Sequence, residues 1–222
     1  MKIASWNVNS LKVRLPQVLD WLAHTGTDVL GLQETKLGDD KFPVVAIPDF
    51  EDDEKRAIAA TVNGVRVINL YVVNGQEVGS EKFAYKLRWF EAMRDWVRRE
   101  LEEHDRVVVM GDFNIAPDDR DVYDPEAWHE RILCSTPERD ALTSLLDLGL
   151  HDSFRLFDQP EEIYSWWDYR AAMFRRGLGL RIDLVLISDA LKASCTTSYI
   201  DKEPRRNERP SDHAPAVAEF NL

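Results

Sequence analysis

The stretch Arg106-Val107-Val108-Val109-Met110-Gly111-Asp112-Phe113-Asn114 sets the terms for the rest of the chain. A β-branched apolar run this short has the composition of a strand buried on both faces. It stops at Gly-Asp, and Asp112 and Asn114, two positions apart in extended backbone, face the same side. A buried strand ending in an acid and an amide is a rigid scaffold with chemistry at its rim. Asp and Asn also favour plain turns, so the segment gains weight only from others like it.

There are others. Residues 2–8 alternate and carry Asn7 and Asn9 at their end; Asp28 to Leu32 is apolar and runs into Gln33-Glu34. Residues 57–62 and 65–73 flank Asn63-Gly64, a strong hairpin signal. Residues 181–187 and 215–220 complete the strands, with Ile182-Asp183-Leu184 in one and Ser211-Asp212-His213-Ala214-Pro215 leading into the other. Helical periodicity lies between them. Residues 14–23 place Pro16 in a first turn with Val18, Leu19 and Leu22 on one face. In 80–102, Ser80 can cap a stripe of Phe83, Leu87, Phe90, Met93, Val97 and Leu101. Residues 137–148 open with Pro137-Glu138. Two sheets packed face to face with helices outside are expected.

The 222 residues read as one domain, 1–222. The apolar fraction, 44%, supports a sizeable core. No apolar run reaches membrane-span length, and Met1 to Trp6 is too short and polar for a signal peptide. Cys134 and Cys195 have neither metal-ligand nor disulfide-framework spacing, so the cytoplasm is the expected location. The 28 basic and 40 acidic residues give a net charge of −12. That excludes a uniformly basic coat for nucleic acid; a polyanion would have to be held by local basic patches or by metal ions. The acidic stretches 49–54 and 118–126 read as solvated loops.

The strand-end residues suggest a reaction. Glu34 emerges from a buried strand, where an unpaired carboxylate is costly. Asp112 beside Asn114 suits orienting and deprotonating water. Asp183 lies between apolar neighbours and needs a partner, for which His213 is the best candidate; such pairing fixes the imidazole tautomer and raises its basicity. With Glu34, Asn7 and Asp212 as oxygen donors and no Cys/His cluster, a cation would be hard, Mg²⁺ or Mn²⁺. Together the parts suit phosphodiester hydrolysis. Singly, each has a plainer reading: Asn7 and Asn9 as strand-end caps, Glu34 as a helix N-terminal acid, His213 as structural.

In chain order these segments resemble the exonuclease III family of apurinic/apyrimidinic endonucleases, within the endonuclease/exonuclease/phosphatase superfamily. The likeness is carried by residues 1–11, Asp28 to Lys36, Asn69 to Gly75, Met110 to Pro117, Ser165-Trp166-Trp167-Asp168-Tyr169-Arg170, Gly179 to Asp183 and Ser211 to Pro215. It implies a four-layered α/β sandwich of two mixed β-sheets with outer helices, DNase I-like. Glu34 and Asn7 would hold the metal, with Asp212 a further or alternative ligand. Asp112, helped by Asn114, would activate water; His213, paired with Asp183, would meet the scissile phosphate, as would Tyr71 and Asn74. Trp166, Leu180 and Ile182 occupy positions that line the family's abasic-sugar pocket. The implied activities are incision 5′ to abasic sites, 3′→5′ exonuclease action on duplex DNA and removal of 3′ blocks.

Two departures stand out. After Lys41-Phe42-Pro43 the family carries roughly 30 more residues, about two strands plus turns, and Val73 replaces a usual Pro before Asn74. The loss would open a sheet edge, a liability, and weaken grip on duplex. DNA contact is expected from Arg170, Arg175, Arg176 and Arg181, from Lys36 and Lys41, and from Arg205, Arg206 and Arg209, with Met173 or Phe174 wedging into the duplex. The partner is thus double-stranded DNA, abasic or 3′-blocked, with neither a membrane nor an obligate protein partner in view. A phosphatase acting on lipid, inositol phosphate or RNA, and a catalytically weak DNA-binding remnant, are the alternatives.

Overall fold

A computed structural model describes residues 1–37, 47, 50 and 56–222. The junction after residue 43, Lys41 and most of the acidic stretch 49–54 lie outside the described residues.

Alternation decides the layers. In β5 (Val107–Asp112), Val108 and Met110 face one side, and Val107 and Val109 the other. In β4 (Val65–Tyr71), Val65 and Val67 pack with the first set while Ile68 and Leu70 join the second. These two strands pair in parallel inside a sheet of order β3-β4-β5-β7-β6, completed by β3 (Ala57–Val62), β6 (Leu150–Asp152) and β7 (Asp183–Ser188). The second sheet, β2-β1-β9-β8, contains β1 (Lys2–Asn7), β2 (Val29–Gln33), β8 (Cys195–Ile200) and β9 (Ala216–Phe220). Ile3, Ala216, Ala218 and Phe220 of this sheet meet Val65, Val67, Val108, Met110 and Val185 of the other.

The outer faces carry the helices. α1 (Leu11–Thr25) lays Val18 and Trp21 on Ala4, Trp6 and Val217. α2 (Glu81–Glu103) lays Trp89, Phe90, Met93 and Val97 on the other sheet, beside Leu142 and Leu145 of α4 (Thr136–Leu146). The single turns α3 (Pro125–Trp128), α5 (Met173–Arg176) and α6 (Asp189–Lys192) complete the set. Four layers result, as expected. Asn63 and Gly64, with φ of 50° and 78°, make the expected β3–β4 hairpin.

Two expectations need correction, and two strands are added to those expected. α1 begins at Leu11, so Pro16 lies inside it rather than in its first turn. The missing bond falls on an exposed face, where solvent can serve the orphaned carbonyl. β6 and β8 carry no strand pattern in the sequence, because one has three residues and the other, Cys-Thr-Thr-Ser-Tyr-Ile, has little apolar signal. Asp121 is not solvated: it is fully buried and pairs with Arg181 (2.6 Å) and Arg155 (2.5 Å), while Arg181 also holds Asp152 (2.7 Å).

Candidate active site

Strand direction gathers the polar residues at one rim. β1 and β2 are parallel, as are β4 and β5, so Asn7, the Gln33-Glu34 turn, Tyr71 and Asp112 all lie at C-terminal strand ends. β7 runs antiparallel to β5 and starts where β5 stops, with Asp183 opposite Asp112. β9 is antiparallel to β1 in the same way, which brings the Ser211–His213 segment to this edge. Ser211 Oγ donates to Asn7 O (2.7 Å), and Trp6 Nε1 to His213 O (3.3 Å), fixing that segment.

Asn7, fully buried, is the hinge of the cluster. Its amide donates to Glu34 Oε1 (3.0 Å) and Asp112 Oδ2 (2.9 Å). Asp112 Oδ2 in turn lies 3.8 Å from His213 Nε2, and His213 Nδ1 lies 2.8 Å from Asp183 Oδ2. Ser165 Oγ donates to that same Asp183 oxygen (2.7 Å) and accepts from the Ile182 and Asp183 N–H groups (3.0 Å each). Glu34 and His213 therefore share one continuous cluster. Burial pushes the Asp112 carboxyl up to about 7, against the pull of the His213 charge and the bonds from Asn7 and Asn114. Burial also opposes the His213 charge, but Asp183 and Asp112 outweigh it and lift the imidazole to about 10.

A second group lies beside Asp112. Asn114 donates its backbone N–H to Asp112 Oδ1 (2.9 Å) and its side-chain amide to Val72 O (2.9 Å). Asn74 Nδ2 donates to Asn114 Oδ1 (3.1 Å). The Tyr71 hydroxyl bonds Glu34; burial first, then the Glu34 and Asp112 charges, push its ionisation far up, so it stays a neutral donor. Arg56 packs over its ring at 5.4 Å. Asn9 is a further member: its amide donates to Asp212 Oδ1 (2.9 Å), and its own Oδ1 accepts from Lys36 (2.5 Å). Burial works against the Asp212 charge, yet His213, Asn9 and Trp166 hold it below the usual carboxylate range.

The donor set fits a hard cation. Glu34, Asp112 and Asp183 offer carboxylate oxygens, and Asp183 Oδ1 is buried with no hydrogen-bond partner among the described residues. Asp112, Asp183 and His213 can present ligand atoms within 4.8 Å of one another. Glu34 reaches this group through Asn7. Asp212 stands to one side, its oxygens taken by Asn9 and by Trp166 Nε1 (3.2 Å).

The expected substrate-binding residues divide. Trp166 is half-buried at the rim and bridges both Leu180 and His213. Leu180 and Ile182 are fully buried, packed with Leu133, Ala116, Val122 and Cys134, so they line no open pocket here. Leu133 takes φ 73°, a strained conformation for a γ-branched residue, as it closes that cluster. Arg170 is exposed but clamped by Asp168, Nε lying 3.0 Å from each carboxylate oxygen. Met173 and Phe174, expected as wedges, are half-buried and pack beside the Tyr164–Trp167 cluster: Phe174 lies edge-on to Trp167 at 5.0 Å, and Arg205 covers its ring at 4.7 Å. Arg181 and Arg205 are buried and so leave the expected DNA-facing set, whereas Arg175, Arg176, Arg206 and Arg209 are exposed.

Known proteins are similar to this chain over nearly its whole length. The profile of the endonuclease/exonuclease/phosphatase family matches residues 4–213. Exodeoxyribonuclease III of Haemophilus influenzae is 32% identical over 266 aligned residues, covering 99% of this chain and all of its own. That alignment is 44 positions longer than this chain of 222, in the direction of the expected shortening. The 3′ phosphatase NExo from Neisseria, solved with a product DNA hairpin, is 48% identical and superimposes with a TM-score of 0.95 over all of both chains. An AP endonuclease from Archaeoglobus fulgidus is 34% identical, with a TM-score of 0.93 and full coverage of both. The order of the segments, the rim they build and the matched profile agree over nearly the whole length, and the chain belongs to the endonuclease/exonuclease/phosphatase family.

Proposed function

We propose that the chain is a divalent-metal-dependent DNA repair nuclease whose main work is at 3′ ends of duplex DNA, removing 3′-terminal nucleotides and 3′ blocking groups. The observation that carries this reading is the continuous cluster Glu34–Asn7–Asp112–His213–Asp183. Asp112, ionised, takes the proton of a water aligned by Asn114. His213 keeps its Nδ1 on Asp183, so Nε2–H is the face left to bind a phosphate oxygen and stabilise charge as it develops. Asn74 orients the same phosphate with the amide proton not given to Asn114, and Tyr71 does so by turning its one hydroxyl proton from Glu34 to the phosphate. Mg²⁺ or Mn²⁺, held by Glu34 and Asn7 with Asp112 beside them, would supply neutralisation of the phosphate and leaving-oxygen charge.

Incision 5′ to an abasic site is the second reading. It is favoured by the likeness to an AP endonuclease and by Trp166 at the rim. The buried state of Leu180 and Ile182 ranks it below end-processing, because a flipped sugar could reach them only by parting the side chains packed on them. Three duplexes separate the readings: one with a 3′-phosphate, one with a recessed 3′-hydroxyl, one with an internal tetrahydrofuran. Divalent-dependent release at 3′ ends, with internal incision slower by an order of magnitude or more, is expected. Efficient incision with little end-processing would reverse the ranking, and preferred turnover of inositol phosphates or RNA would replace both.

A further inference from the structure

The buried stripe of α2 contains a lysine. Lys86 lies three residues after Phe83 and four before Phe90, and is fully buried with them. A buried ammonium is costly unless its three protons are taken. Lys86 Nζ donates to Asn114 O (2.7 Å), to Asn74 O (3.1 Å) and to Glu138 Oε1. Glu138, equally buried near the start of α4, also accepts from Leu133 N (3.1 Å), Ser135 N (3.1 Å) and Ser135 Oγ (2.6 Å). The two carbonyls belong to the loops after β4 and β5, whose amides touch each other beside Asp112. Gly75 seats its loop directly on the lysine stem: a Cβ there would come within 2.9 Å of Lys86 Cδ.

We propose that Lys86 and Glu138 are positioning residues: a buried ion pair that fixes the spacing of the Asn74 and Asn114 loops, and through Asn114 the carboxylate of Asp112, without touching substrate. Stability does not account for such a pair, since apolar residues of similar volume often serve a core as well or better. An apolar pair could not bond two loop carbonyls that lie outside any helix or sheet ladder. The proposal rests on reading the cluster as a phosphate-hydrolysing centre.

The test replaces both charges at once, Lys86→Met with Glu138→Gln, so that no lone charge stays buried; Glu138→Gln alone is the milder companion. Melting temperature, kcat and KM on a 3′-phosphate duplex, and hydrogen exchange of the Asn114 N–H are measured. The double variant should stay folded but melt lower, because two loop carbonyls lose their donor, keep its KM, lose about 100-fold in kcat as expected for a displaced reacting group, and exchange the Asn114 proton faster. A folded double variant with unchanged kcat and exchange overturns the proposal. If the double variant does not fold, Glu138→Gln decides by the same two readings. If the unmodified chain hydrolyses no DNA, the proposed function fails, and exchange alone then judges the pair: faster supports it, unchanged refutes it.

Discussion

His213 shows how much of the chemistry rests on single contacts. With Nδ1 on Asp183 and Nε2 facing Asp112, it is held as an imidazolium well past neutrality in the metal-free protein. Its folded value, about 10, lies above the ordinary 6.5. The stability from this charge is therefore full below pH 6.5 and is lost as pH rises through about 10. A histidine NMR titration in EDTA should find the His213 ring protonated at pH 8, and Asp183→Asn should bring its midpoint down by more than one unit. An unshifted midpoint in that variant would mean that Asp183 does not set the charge. Glu34→Ala and His213→Ala should each lower kcat by about 100-fold or more while leaving far-UV circular dichroism unchanged. The residue types were readable from strand ends, because a lone acid closing an apolar run demands a partner. Lys86 and Glu138 announce no such demand for each other, although the Phe83–Lys86–Phe90 spacing and the Ser135-x-x-Glu138 capping box stand in the sequence.

At the scale of the element, β5 bears the most. Gly111 is the residue between Met110 and Asp112, and a Cβ there would lie 2.1 Å from Leu70 O of the paired strand β4. Gly111→Ala should cost about 1–3 kcal/mol in urea unfolding, the usual range for overpacking, and should disturb Asp112 besides. A neutral result would show that β4 and β5 can part without harm. The strands legible in advance were those with apolar runs or a turn signal. β6 and β8 were not, being short or polar and finding their place only through neighbours. In sequence the basic segment 169–182 is one charged surface, yet its members part ways. Arg181 goes to Asp121 and Asp152 in the interior and Arg170 to Asp168, and among the described residues Arg175 and Arg176 meet no acid. Charge counted along a chain cannot tell these apart, because the partners come from elsewhere in the fold.

For the molecule as a whole, the four layers matter because they place the ends of β1, β2, β4 and β5 and the starts of β7 and β9 on one edge. That convergence was inferable from the order of the segments and from the family likeness; the distances were not. A chain of net charge −12 with a handful of exposed arginines should hold DNA loosely. Four phosphate contacts would give a slope of log K against log salt of about −3 to −4, and end-trimming should be distributive. Long degradation tracts that persist at high salt would contradict this. The most direct test of the central claim is single-turnover cleavage of a 3′-phosphate duplex by the metal-stripped protein, with Mg²⁺ or Mn²⁺ titrated in, beside Glu34→Ala. Cleavage should be absent in EDTA, return with either ion, and demand far more ion or fail altogether in the variant. Full cleavage in EDTA, or an ion response identical in Glu34→Ala, would contradict it.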